Sequence, residues 1–210
     1  MQDNTACTVG GGSGGGMYLE GSSATLDGNL LKNNVGGTTS LGYGGGLYVT
    51  GGAPTLSANT IVSNTATLDP GGAGWGGGVY ATVAGPLNLV NNIIAGNHAT
   101  AEGSGLWFGG TSASRKSAAL VHTTIADNGS SGQGVYVNPY GTLSFTNTIV
   151  SGHAVTGVVV AAGGAAALEA TLWYGNGADT GGPGTIVTGA ANIYGDPAFE
   201  IGRASCRERV

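Results

Sequence analysis

The residues able to do acid–base or metal chemistry are few and scattered. The histidines are His98, His122 and His153, and the carboxylates include Asp27, Asp69, Glu102, Asp127, Glu169 and Asp179. Elimination on an acidic sugar needs clustered carboxylates to hold calcium and a base nearby. Hydrolysis of a glycosidic bond needs two carboxyl groups no more than about 10 Å apart. Asp27 and Glu169 share one phase of the repeat described next but lie five copies apart, roughly 24 Å at about 4.8 Å per coil. The remaining acids occupy other phases, so no catalytic residue is assigned and the pattern argues against hydrolysis or elimination. His98 and His153 follow the same repeated asparagine two copies apart, about 10 Å, which is too far to share a zinc ion. They are expected to be solvated or bend residues. The glycine runs lack the aspartate of a calcium-binding nonapeptide, as in Gly11-Gly12-Ser13-Gly14-Gly15-Gly16, so neither metal nor cofactor is expected. Asn128-Gly129-Ser130 fits a glycosylation acceptor.

What does recur is a phrase, Leu-x-x-Asn-x-Ile-x-x-Asn, as in Leu56/Asn59/Ile61/Asn64 and Leu89/Asn92/Ile94/Asn97. Its final residue is Asn34, Asn64, Asn97, Asn128 and Asn176, and a sixth copy, Asn147/Ile149/Gly152, loses it. Before each phrase stands Gly-x-Gly followed by an aliphatic and usually an aromatic residue, as in Gly44-Gly46-Leu47-Tyr48 and Gly103-Gly105-Leu106-Trp107. Spacing between the second glycines runs from 23 residues (Gly134 to Gly157) to 32 (Gly46 to Gly78). A period of that size with uneven spacing indicates a stacked array whose length variation falls in loops.

Within each unit, Leu47-Tyr48-Val49 and Val135-Tyr136-Val137 alternate as strands do, and Asn59-Thr60-Ile61-Val62 is β-branched. No segment carries a helical apolar stripe. The predicted fold is all-β: a single-stranded right-handed parallel β-helix, or solenoid, of about six coils and near-zero helix content. A β-propeller is disfavoured, because a blade needs roughly 40 or more residues. Stacking predicts two inward ladders, one of Met17, Leu47, Val79, Leu106 and Val135, the other of Leu31, Ile61, Ile94, Ile125 and Ile149. The five asparagines are expected at bends, where Asn tolerates left-handed backbone and its amides hydrogen-bond from coil to coil.

The runs Gly-Gly-Gly-Leu-Tyr-Val at 44–49 and Asn-Thr-Ile-Val-Ser-Asn-Thr-Ala at 59–66 resemble the β-helix repeats of bacterial surface and secreted proteins. They are similar to the polymorphic outer-membrane protein repeats and to the wider pectin-lyase-like superfamily. Gly195-Asp196-Pro197-Ala198-Phe199 resembles the phrase that closes such helices. The resemblance covers nearly all of residues 4–199. It implies an extracellular or cell-surface location and a non-catalytic scaffold presenting a binding or adhesion surface. The alternative it implies is a fragment of a polysaccharide lyase or glycoside hydrolase whose catalytic coils lie elsewhere.

If the aliphatics point inward, Tyr18, Tyr48, Tyr80, Trp107 and Tyr136 form an outward aromatic stripe, a candidate surface for sugar rings or a partner protein. Cross-strand stacking is the simpler role of the same residues. The basic pair Arg115 and Lys116, in the insertion at 111–116, is a second possible contact.

Composition narrows the partners. Gly supplies 44 of 210 residues, only 8% are charged, and the net charge is −5. Residues 201–210 break the repeat, hold three of the six basic residues, and resemble the translation of a sequencing-library adapter. Domain limits are therefore set at 1–199 for a β-helix fragment truncated at both ends and 200–210 for a non-native, disordered tail, as in a metagenomic fragment. Without the last ten residues the balance is 3 cations against 10 acids, a net charge of −7. That offers no footprint for nucleic acid or an anionic membrane. Cys7 is then the only thiol, so no disulfide framework is expected. No apolar stretch is long enough to span a bilayer, and no secretion signal is visible. Polysaccharide or a host or partner surface protein are the expected partners, together with end-to-end self-association through uncapped strand edges.

Overall fold

A computed structural model describes residues 1–110, 114–129 and 133–198. Residues 111–113, 130–132 (with Ser130 and Gly132), Phe199 and the tail at 200–210 lie outside the described residues. Among the described residues all 27 elements are strands, and every pairing between them is parallel. Short runs of β-branched and aliphatic residues, broken by turn residues every few positions, leave no stretch in which a helix would bury a stripe.

Three seven-stranded sheets make the walls of the solenoid. The first wall begins with Met17–Glu20 and Leu47–Thr50, the second with Thr25–Asp27 and Thr55–Ser57, the third with Leu30–Lys32 and Thr60–Val62. Two three-stranded sheets thicken the first coils: Thr5–Cys7, Val35–Gly37 and Thr65–Thr67, then Gly12–Ser13, Gly42–Tyr43 and Gly74–Trp75.

Register turns periodicity into columns. Met17, Leu47, Val79, Leu106 and Val135 pair in succession along the first wall, continuing to Val158. On the second wall the column is Leu26, Leu56, Leu89, Leu120, Phe145 and Leu168. The third holds Leu31, Ile61, Ile94 and Ile125, but its next members are Val150 and Trp173. The expected Ile149 is displaced by one residue and pairs with Thr124 on the outer face. Side chains alternate across a strand, so a one-residue slip decides which aliphatic is buried. Val150 is fully buried and Ile149 is not. Each buried aliphatic contributes roughly 1.5–3 kcal/mol, and these columns are the core.

Two corners of every coil share one construction: a residue with positive φ, then a side chain that turns inward. After the second wall the left-handed residues include Ala58, Asn91 and His122; after the third they include Asn33, Ser63 and Asp127. The inward residues are Asn29, Asn59, Asn92, Thr123, Thr148 and Thr171 at the first corner, and Asn34, Asn64, Asn97, Asn128, His153 and Asn176 at the second. The strained backbone therefore belongs to the residue before each ladder asparagine, not to the asparagine itself, which corrects the sequence-based expectation. Ser and Ala are tolerated there because the next side chain is pinned inside.

Asn64 illustrates the pinning. Its Nδ2 donates to Leu31 O at 3.0 Å and to Asn97 Oδ1 at 2.9 Å. Its Oδ1 accepts from Asn34 N and Asn34 Nδ2, both at 2.9 Å. Both amide hydrogens and both lone pairs are used, in a side chain with no exposed surface. No buried side-chain polar atom among the described residues lacks a partner.

The Gly-x-Gly phrase completes this corner. A Cβ on Gly16, Gly46, Gly78 or Gly105 would come within 2.9 Å of the ladder amide nitrogen of Asn34, Asn64, Asn97 or Asn128 respectively. The glycine is the floor on which the asparagine lies, so the two recurring phrases form one packing unit.

Replacing Asn64 by Ala removes the side-chain donor to Leu31 O and Asn97 Oδ1 and leaves the Asn34 backbone N–H without its acceptor in a dry interior. Each unmade buried bond costs about 1–3 kcal/mol, so Asn64→Ala is expected to lose at least about 3 kcal/mol, read as a fall in the urea midpoint.

Candidate functional site

The five outward aromatics of the first wall sit one per coil in the same register. Tyr18, Tyr48, Tyr80, Trp107 and Tyr136 pair in succession along the sheet. Their rings stack with centroids 4.9, 5.2, 4.3 and 6.4 Å apart. Spacing so close to the coil repeat leaves no room for a sugar between rings: ring faces are used by neighbouring rings, and edges and hydroxyls face outward.

A second aromatic column stands beside the first, and the sequence phrase did not contain it. Tyr43 and Trp75 pair on the short sheet that precedes the first wall and stack at 5.0 Å. Tyr43 meets Tyr48 and Tyr80 at steep angles of 75° and 72°. Two stacks thus form a corner, each supplying edges to the other's faces, an arrangement favoured by the ring quadrupole. The signal for this column was Tyr43-Gly44 and Trp75-Gly76: an aromatic immediately before the Gly-x-Gly in two successive copies.

Glu102 closes the corner. It lies in register above Trp75, and its Oε2 accepts from Trp107 Nε1 at 3.2 Å. Burial, followed by the charge of the Glu102 carboxylate, raises the Tyr136 phenol above its ordinary range. Tyr80 is pushed up further, first by burial, then by Tyr48, Tyr43 and Glu102. Burial, with Tyr18 next, raises Tyr48. Tyr48, Tyr80 and Tyr136 therefore stay protonated near neutral pH and remain hydrogen-bond donors. Exposure falls along the column from 49% at Tyr18 to 6% at Trp107.

The other predicted residues are distributed as follows. Asn34, Asn64, Asn97, Asn128 and Asn176 line one corner as described, with His153 between the last two. His153 was expected at a solvated bend one position after the ladder; it is instead a fully buried ladder member. The shift has the same origin as that of Ile149, because Thr148/Val150/His153, not Asn147/Ile149/Gly152, is the true copy of the phrase in that coil. His98 stays outside, bridged to Thr65 and lining a cavity of about 470 Å³ with Thr65, Thr67, Leu68 and Thr100. His122 occupies a left-handed turn position, its Nε2 3.1 Å from Asn147 Nδ2. The amide of Asn128 donates to Ile94 O at 2.9 Å and has no exposed surface, so folded chain cannot offer it to glycosylation. Arg115 and Lys116 donate to the backbone carbonyls of Gly163 and Ala84, both at 2.9 Å.

Most acids have local work. Asp69 accepts from Ser40 N and Gly71 N at 2.9 Å each, and those backbone donors hold its carboxyl below the usual range. Asp179 accepts from Asn176 Nδ2 at 2.9 Å. Asp27 and Glu169 stand at opposite ends of one register column. Asp127, set in a phase of its own by the sequence, and Asp196, from the closing phrase, border one cavity of about 380 Å³ with Ser151, Gly152 and Tyr174. Among the described residues no three His, Cys, Asp or Glu side chains converge as metal ligands, and no helix is long and apolar enough to cross a membrane.

Parallel walls, amide-lined corners and a filled core define an all-β solenoid. Residues 3–172 match the family described as the right handed beta helix region, and the chain belongs to that family. No curated protein and no solved structure is significantly similar to it.

The stack predicts graded costs. Trp107→Ala removes a buried ring and its bond to Glu102, and is expected to cost about 3–5 kcal/mol. Tyr18→Ala, half exposed with one stacking partner, should cost about 1 kcal/mol or less. Thermal unfolding of the two variants measures the difference.

Proposed function

We propose that this chain is a non-catalytic β-helix scaffold of an extracellular or cell-surface protein, presenting its aromatic corner to a polysaccharide. The observation that carries this reading is the near-perpendicular meeting of the Tyr43/Trp75 stack with the Tyr48/Tyr80 stack, both partly open to solvent. Rigid rings with protonated hydroxyls present apolar edge and hydrogen-bond donor side by side, as an amphipathic sugar requires. The rings stack on one another, so binding area is already ordered and little side-chain entropy remains to be lost. A net charge of −5 and scarce cations favour a neutral chain over an acidic one.

The test is affinity electrophoresis through gels containing neutral or anionic polysaccharide. Wild type should be retarded by a neutral polymer, and the pair Tyr43→Ala with Trp75→Ala should migrate freely while still unfolding cooperatively. No retardation by any polymer would remove the glycan reading; capture by a surface protein, lost in the same variant, would move the surface to a protein partner.

A second reading rests on Asp127 and Asp196. Two carboxylates beside one cavity of sugar size are what a glycosidase uses as acid and base or nucleophile. On that reading wild type releases reducing ends from a polysaccharide and Asp127→Asn does not. Absence of any release by wild type rejects it.

A further inference from the structure

The second corner column is amide in every coil but one, and the exception is titratable. His153 N donates to Asn176 Oδ1 at 3.1 Å, as a ladder asparagine would, and its Nδ1 lies 2.9 Å from the same oxygen. On the opposite side its Nε2 lies 3.4 Å from Asn128 Nδ2.

Both flanking amides have fixed orientations. Asn176 Nδ2 is committed to Val150 O and Asp179 Oδ1, so the atom facing His153 is an oxygen. Asn128 Oδ1 already accepts from Asn97 N and Nδ2, so the atom facing His153 is a nitrogen bearing hydrogen. The imidazole must therefore carry its proton on Nδ1 and offer the Nε2 lone pair to Asn128. The ring is also trapped, because a Cβ on Gly134 would lie 2.4 Å from Nε2.

We propose that His153 is an acid-sensitive rung: protonation at Nε2 opposes two donors, breaks the column between Asn128 and Asn176, and loosens the coils beyond it. The charged groups around the ring are Asp127, on the turn before Asn128, and Asp179, bound to Asn176. Both favour the imidazolium, yet burial dominates and lowers the folded-state value below the ordinary one, against the raising effects of Asn176 and Asp127. The unfolded chain therefore takes up the proton first. Stability is intact above about pH 6.5 and falls as pH drops from there towards the folded-state value.

The experiment is chemical unfolding of wild type, His153→Asn and the control His122→Asn between about pH 5 and pH 8. In wild type and the control, the unfolding constant should rise by up to about tenfold per pH unit below about 6.5. His153→Asn, which restores an amide rung, should lose that component. Imidazole nitrogen shifts of wild type give a second readout that needs no variant: Nδ1–H neutral form at neutral pH, and loss of amide-exchange protection at Leu172 and Gly177 as the ring titrates. An Nε2–H form, or an unchanged acid slope in His153→Asn, overturns the proposal.

Discussion

The constraint on which this molecule depends is the disposal of polar groups at the corners of a dry core. Each coil bends sharply just after backbone carbonyls such as those of Leu31, Ile61 and Ile94, and an inward amide nitrogen donates to each. An amide that does so has a hydrogen and two lone pairs left, and only another amide one coil away matches them. The column is thus self-propagating: one asparagine makes asparagine the best neighbour above and below it. Its bulk in turn demands that the residue packed on it have no side chain, which is why glycine recurs in step. Threonine can replace the amide at the other corner, because Thr123 and Thr148 still bond back to Leu89 O and Leu120 O at 3.3 Å. They give up the forward bond, and the coils there rely more on sheet pairing.

Once the interior is committed in this way, variation is confined to the outer surface, and there side chains serve their neighbours first. Aromatic rings one per coil are brought to stacking distance by the coil repeat, so rigidity and a filled surface arrive together. Asp69 ties a turn, Asp179 ends the amide column, and Glu102 ends the Tyr43/Trp75 column while bonding Trp107. These carboxylates act as terminators where a repeating interaction stops. What remains for recognition is the set of ring edges and hydroxyls at the meeting of two columns.

Much of this was legible because solenoid contacts join equivalent positions of consecutive repeats. The Leu47–Val79–Leu106 column, the asparagine column and the outward aromatics could be written down from spacing alone. The fifth coil could not. Asn147-Thr148-Ile149-Val150 offers two phases differing by one residue, and composition favours the wrong one because Asn147 and Ile149 look like ladder members. Burial of Val150 and insertion of His153 settle the register, and both depend on coils on either side.

The linear chain by itself determined the fold class, the coil-to-coil register over most of its length and the identity of the stacked columns. Period-two alternation and a near-constant repeat translate directly into which side chains face inward and which lie above one another. Only the tertiary structure decided what converges from different phases of the repeat. The Tyr43/Trp75 stack against Tyr48 and Tyr80, Glu102 beneath Trp107 and Tyr136, and Asp127 beside Asp196 all follow from where the chain turns within a coil. Those turns are set by left-handed residues as unalike as Ala58, Ser63 and Asp127, held there by packing that no local sequence preference encodes.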